Sequence, residues 1–150
     1  MANIDHISKT FEHHEAEERL YQHWLSEDCF HADIDPGRKP YTIVMPPPNI
    51  TGQLHMGHAL NNSLQDILIR WCRMQGYSAL WVPGTDHASI ATKARIIETL
   101  KSEGNSKEAV GHEGFLERAW AWKEQYGNRI VRQLQKLGCS CDWSRERFTI

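Results

Sequence analysis

PYTIVMPPPNITGQLHMGHAL (40–60) decides how the rest of the chain is read. Its first six residues, Pro40 to Met45, form a short, apolar, β-branched run, which predicts a buried strand. Pro46, Pro47 and Pro48 stop it, because residues without an N–H cannot continue a central ladder. Beyond NITGQLHMGH, the residues Leu60, Leu64, Ile67, Leu68 and Trp71 recur with helical period, so a helix follows, with Gly76 as its stop.

SALWVPGTDH (78–87) reads as a second strand over Ser78–Val82, closed by Pro83 and Gly84. A helix over about 89–100 stops at Gly104. The spacing of Asn105 and Glu108 resembles an N-cap pair. A long helix over about 113–137 carries Leu116, Trp120, Ile130, Leu134 and Leu137 inward and ends at Gly138. The tail CSCDWSRERFTI (139–150) enters another strand near Phe148. Upstream, 11–25 reads as a short helix with Leu20, Trp24 and Leu25 on one side, and Gly37 and Pro40 mark a turn. Strand–helix–strand–helix order predicts an α/β fold with a parallel sheet. Two clear strands cannot cover both faces and satisfy both edges, so further strands are expected from beyond Ile150.

Composition bounds the class. The chain has 150 residues, 40% hydrophobic and 24% charged, as in an ordinary soluble domain, and its six tryptophans require a core. A net charge of −2 announces no global attraction to nucleic acid. Residues 1–35 hold nine acids against two bases. Lys123, Arg129, Arg132, Lys136, Arg145 and Arg147 face only Glu124, Asp142 and Glu146, which reads first as a solvated helix face and second as a contact for RNA phosphate. Cys29, Cys72, Cys139 and Cys141 form no CxxC pair, and reduced thiols suit a cytoplasmic location. No apolar signal region occurs at the N-terminus, and no run approaches the length of a membrane span.

The chemistry concentrates at His55-Met56-Gly57-His58, where a strand has ended and a helix begins. Ligands of open α/β sheets bind at the carboxyl ends of strands, and a helix N-terminus there offers free N–H groups and a positive dipole end to phosphate. His55 and His58 lie on one face of the first turn and can donate hydrogen bonds to phosphate oxygens. Gly57 lets a flat base approach the backbone. His55, His58, Asp86 and His87 are also acceptable metal ligands, but HExxH is absent and the strand–loop–helix setting favours phosphate, so no metal site is predicted.

MPPPNITGQLHMGHAL (45–60) resembles the first signature of the class I aminoacyl-tRNA synthetases, the one ending in a His-x-Gly-His box. WVPGTDHASIAT (81–92) resembles the second conserved block of the valine-specific members. Leucine- and isoleucine-specific members typically carry Gly-Trp-Asp there, where this chain has Gly84-Thr85-Asp86-His87. KLGCSCDWSRERFT (136–149) is similar to the segment that precedes the family's large inserted domain. The resemblance runs from about residue 12 to the end. It departs at Ser89, usually Gly, and at Lys93, usually Gln.

The resemblance implies a Rossmann-like parallel sheet with flanking helices, the first half of a class I catalytic domain. Residues 1–35 would form an N-terminal helical extension, and 36–150 the N-terminal half of the catalytic domain, ending before the editing insertion. The KMSKS signature, the editing domain and the anticodon-binding domain do not occur in these residues, so the isolated chain is expected to be inactive. The implied substrates are L-valine, ATP with Mg2+ and tRNA(Val), the tRNA held mostly by other domains. His55, Gly57 and His58 would bind ATP, with His55 and His58 catalytic. Pro46, Pro47, Asn49 and Asp86 would bind the amino acid, Asp86 through its ammonium. From spacing alone, Asp86 reads better as a helix cap before Ala88, an order that the resemblance reverses. An HxGH-type nucleotidyltransferase and a non-catalytic nucleotide-binding domain are the alternatives.

Overall fold

The computed structural model describes residues 10–149. The first nine residues of the expected N-terminal extension lie outside that range. The elements run α1 (His13–Ser26), β1 (Pro40–Val44), α2 (Met56–Met74), β2 (Ser78–Val82), β3 (Gly84–Asp86), α3 (Ser89–Ser102), α4 (Lys107–Lys136), a 3-10 turn at Trp143–Arg145 and β4 (Arg147–Thr149). β1 pairs in parallel with β2, and β3 in parallel with β4.

β2 ends at Val82, where Pro83 was expected to close it, but the chain passes at once into β3. The missing N–H of Pro83 removes one donor, but its carbonyl still accepts from the N–H of Arg147 at 3.1 Å, while the preceding carbonyl, Val82, accepts from Met45 at 2.9 Å. The stretch from Ser78 to Asp86 is thus a ribbon broken at Pro83, its β2 half paired with β1 and its β3 half with β4 in two separate sheets. On the β1 side, the proline-rich loop follows the ribbon out. Asp86 donates to the carbonyl of Pro48 and accepts from Ile50, each at 2.9 Å.

One face of this ribbon is packed. Tyr41 and Ile43 sit opposite Ala79 and Trp81 and point to a core of Met45, Ile50, Ile69, Cys72, Ile130 and Leu134. Trp81 is fully buried, with its indole N–H donating to Gln65 at 3.1 Å. The other face is open, and Val44 is 69% exposed, so β1 is not the buried strand that its composition predicts.

A larger difference lies in α2. The helix is present where expected, but its periodic stripe of Leu60, Leu64, Ile67, Leu68 and Trp71 is exposed. The inward face instead carries Asn62, Ile69 and Cys72. Beside them, Asp66 accepts from the N–H and hydroxyl of Ser140 and from Arg70. Arg70 reaches the carbonyl of Gly138, and Arg73 donates to Ser140 and to the carbonyl of Phe30. Hydrophobic period marks a face that is apolar, not the neighbour it meets. Here charge-assisted hydrogen bonds, which are stronger than neutral ones, fasten the polar face to the 138–142 segment.

A first helical turn from Lys107 precedes the break at Gly111, and the long part of α4 then starts about where predicted. Ser106, not Asn105, is the N-cap of α4, accepting from Ala109 at 3.1 Å, and Gly111 adopts φ 67°. Ile130 and Leu134 are buried as expected, but Leu116, Trp120 and Leu137 are about half exposed. In α1 the buried residue is Tyr21, whose hydroxyl donates to the carbonyl of Cys139 and accepts from the Trp143 indole, each at 2.8 Å. No helix among the described residues is long and apolar enough to cross a membrane.

Candidate active site

The loop from Met45 to Leu54 carries the chain from β1 to α2 and is clamped by α4. The Trp122 indole donates to the carbonyl of Ile50 at 2.7 Å, and Gln133 accepts the N–H of Leu54 at 3.1 Å. These two bonds fix the approach to the His box from both ends of the NITGQ segment.

His55 is the N-cap of α2. Its extended backbone lets the ring turn back, so that Nδ1 accepts the N–H of Gly57 at 3.1 Å, while Nδ1 of His58 accepts the N–H of His55 at 3.3 Å. This is a reciprocal capping arrangement built from two imidazoles in place of the usual hydroxyl and carboxylate. An Nδ1 that accepts a backbone N–H carries no proton, so the neutral ring bears its proton on Nε2. Each ring thus has one donor left over, and both rings stand at the positive end of a 19-residue helix. Burial lowers the pKa of His58, and the neighbouring His55 lowers it further. Gly57 has a local reason to be glycine, since a Cβ there would meet Cε1 of the His55 ring at 3.0 Å.

The residues predicted to hold the amino acid also converge. Asn49 lies beside Asp86 in an isolated parallel bridge, and a Cβ on Gly84 would meet Cβ of Pro47 at 3.9 Å. Pro46, Pro47 and Asn49 are exposed, at the carboxyl end of β1, and Asp86 ends β3, so this group and the His box share the carboxyl edge of the parallel strands.

Asp86 is not the cap of α3, as its spacing suggested, because the N-cap is Ala88 and no side chain caps it; Asp86 instead holds the turn before the helix. Its Oδ1 accepts the N–H of Ala88 at 3.0 Å, and Ala88 adopts φ 45°, a conformation that costs a non-glycine residue energy unless held. The same Oδ1 accepts from the hydroxyl of Thr149 at 2.6 Å. The Ala88 N–H and then the Thr149 hydroxyl hold its pKa below the usual carboxylate value, so it is a carboxylate at neutral pH. Thr149 did not stand out in the sequence. Its one signal is its place in a strand-like tail, which does not tell which residue it will face.

Ser89 and Lys93, the two departures from the family pattern, line a cavity of about 300 Å3 with Phe115, Trp120 and Phe148. His87 and Ile50 also line it and place it next to Asp86, which does not itself line it. Of the basic residues near the end, Arg145 is spent internally on Asp142 and on the carbonyl of Ala32. Among the described residues no group of His, Cys, Asp and Glu could hold a metal ion.

These features define a class, a parallel α/β domain with a His-x-Gly-His box at the carboxyl edge of its strands. The family described as tRNA synthetases class I (I, L, M and V) matches residues 19–150, and the chain belongs to that family. It is 60% identical over 136 residues to a valine–tRNA ligase of Carboxydothermus hydrogenoformans, covering 91% of this chain and 15% of that protein. It is 52% identical over 150 residues to a valine–tRNA ligase of Clostridium acetobutylicum, covering all of this chain and 17% of that protein. The chain thus spans about one-sixth of the length of these relatives. Its fold is similar to that of a solved chain described as a ternary complex of Agrobacterium radiobacter K84 LeuRS with tRNA and LeuAMS. There the TM-score is 0.74 at 22% identity, covering 93% of this chain and 16% of the other.

Proposed function

We propose that the chain carries the His-box half of a valine-activating site. Valine's carboxylate oxygen attacks the α-phosphorus of MgATP, pyrophosphate leaves, and the valyl group of the resulting adenylate passes to the terminal ribose of tRNA(Val). The observation that carries this reading is the spare Nε2–H on both His55 and His58, left over because each Nδ1 is committed to a backbone N–H.

Neutral imidazoles suit the task. They donate to phosphate oxygens without adding charge that a bound polyanion would have to reorganise, and their hydrogen bonds strengthen as negative charge grows in the transition state. Gly57 keeps the surface between the rings open to the adenine. Asp86 takes the valine ammonium, a charge-assisted pairing, while Pro46, Pro47 and Asn49 line the small side-chain pocket. Magnesium enters with the nucleotide as part of the substrate.

The likeness to the two valine–tRNA ligases supports valine over other amino acids. The test is amino-acid-dependent exchange of pyrophosphate into ATP by the full-length protein. Valine should support exchange, and leucine and isoleucine should support far less. Exchange that valine does not raise would defeat the reading. Asp86→Asn should weaken valine binding by about 1.5–3 kcal/mol, the usual worth of a hydrogen bond to a charged group, with ATP binding nearly unchanged.

A further inference from the structure

We propose that Thr149 is a positioning residue for amino-acid recognition, orienting the Asp86 carboxylate so that one oxygen is held by the protein and the other is left for the substrate ammonium. The inference rests on the ammonium-binding role of Asp86 proposed above.

Every hydrogen bond that the described residues make to this carboxylate lands on Oδ1, from Ala88 N–H at 3.0 Å and from Thr149 Oγ1 at 2.6 Å. The direction of the second bond follows from the rest of the hydroxyl's surroundings. The backbone N–H of His87 donates to Thr149 Oγ1 at 3.1 Å, and Nδ1 of the His87 ring lies 3.0 Å from the same oxygen. An ionised carboxylate has no proton to give, so the 2.6 Å contact requires the hydroxyl to donate to Asp86 Oδ1 while it accepts the main-chain N–H. His87 and Thr149 therefore form a two-link chain that ends on the carboxylate.

A carboxylate held by a single N–H can rotate about its Cβ–Cγ bond and offer either oxygen. Two donors converging on one oxygen from different elements, the α3 entry and β4, remove that freedom. The strand register makes the convergence possible, because Thr149 sits opposite Asp86 in the β3–β4 pair. The side chain of Asp86 keeps about a third of its surface open, so Oδ2 is accessible to a ligand. Thr149 is itself exposed, which means its hydroxyl contributes little to filling the core.

The experiment compares Thr149→Val, Thr149→Ser and Asp86→Asn in the full-length protein, measuring KM and kcat for valine and for ATP in pyrophosphate exchange. Thr149→Val should raise the valine KM about tenfold, the scale of one lost hydrogen bond to a charged group, and leave the ATP KM within about twofold. Thr149→Ser, which keeps the hydroxyl, should restore the wild-type valine KM. Adding Thr149→Val to Asp86→Asn should raise the valine KM no further. A normal valine KM in Thr149→Val, with a raised one in Asp86→Asn, would overturn the positioning role alone. A normal valine KM in Asp86→Asn would overturn the ammonium reading beneath it. If Thr149→Val lowers the melting temperature and raises both KM values together, Thr149 only closes the β3–β4 pair and the proposal fails.

Discussion

The rings of His55 and His58 lie 4.0 Å apart, centroid to centroid, tilted by 52°, each with Nδ1 turned to a backbone N–H of the same helical turn. Two protonated rings at that distance would repel each other and would each lose a backbone bond, so the pair is built to be neutral. Nitrogen-15 NMR should show both rings with the proton on Nε2 near neutral pH, and His58 titrating below 6.5. A dominant Nδ1–H tautomer in either ring would remove the spare donor on which the phosphate-binding reading depends.

Removing one of those donors should act on the rate. His58→Ala in the full-length protein should slow valine-dependent pyrophosphate exchange by about 10²–10³, near 3 kcal/mol, the loss typical of one donor aimed at developing charge. The ATP KM should change far less, because the bond gains its strength in the transition state. An unaltered rate would leave His58 as a helix cap only.

Gly57 gives a gentler perturbation of the same pair. A methyl group there would lie 3.0 Å from Cε1 in the His55 ring, tighter than most Cβ contacts, so the ring must give by a few tenths of an ångström. Gly57→Ala should therefore push the ring off its Nδ1 bond and cost about 1–2 kcal/mol in the rate of activation. The melting temperature should fall little, since His55 is exposed. Full activity in this variant would show that the ring can shift without consequence.

A different histidine should make stability depend on pH. His31 Nε2 lies 3.1 Å from Asp33 Oδ1, and Nδ1 lies 3.0 Å from Asp142 Oδ2. The hydrogen bond with Asp33 raises the His31 pKa above 6.5, burial opposes the rise, and the charge of Asp142 adds to it. The folded protein then holds the proton more tightly than the unfolded chain. The stabilisation is fully present below the unfolded pKa of about 6.5 and fades as pH rises through the raised folded value. Denaturation midpoints of the wild type and His31→Gln should converge as the pH is raised through and above neutrality. A gap that stays constant with pH would rule out the ion pair as its source.

The thiols should separate cleanly by reactivity. Burial pushes the Cys139 thiol up to about 12 and the Cys141 thiol higher still, while Cys29 is exposed. The thiolate is the reactive form, so a disulfide reagent at neutral pH should label Cys29 in the folded protein and reach Cys72, Cys139 and Cys141 only after denaturation. Rapid labelling of Cys139 or Cys141 in the folded state would contradict the packing of α1 and α2 against the 138–142 segment.

Punctuation made the order of elements legible. Pro46 ends β1, and Gly76, Gly104 and Gly138, all with positive φ, sit just past α2, α3 and α4 where helix stops were expected. The His box was legible for the same reason, because its place between a strand and a helix follows from local signals alone. Partnership was not legible. The stripe from Leu60 to Trp71 announced an apolar face on α2, yet the sheet took the opposite face, where Asp66, Arg70 and Arg73 supply polar anchors that no hydrophobic pattern reveals. Pro83 was legible as the end of β2, while the β3–β4 pair just past it, which the Pro83 carbonyl joins by accepting from Arg147, was not. Half of the Asp86 environment was legible, the bond to Ala88 two residues on. The other half comes from Thr149 and waits on a register that only the folded sheet supplies.

That distant bond sets an order of assembly. β1, α2 and β2 can form a strand–helix–strand unit from neighbouring sequence, and with it the His box at the start of α2. The carboxylate of Asp86 meets its hydroxyl partner only after α3 and α4 have been laid down and β4 has closed across a separation of 63 residues. Loops of that length are slow to close, though each doubling of length adds only about 0.6 kcal/mol. On a chain made from its N-terminus, the two parts of the site would therefore mature at different times. The histidines come early with their crossover helix, and the acid comes last, when the final described strand settles beside it.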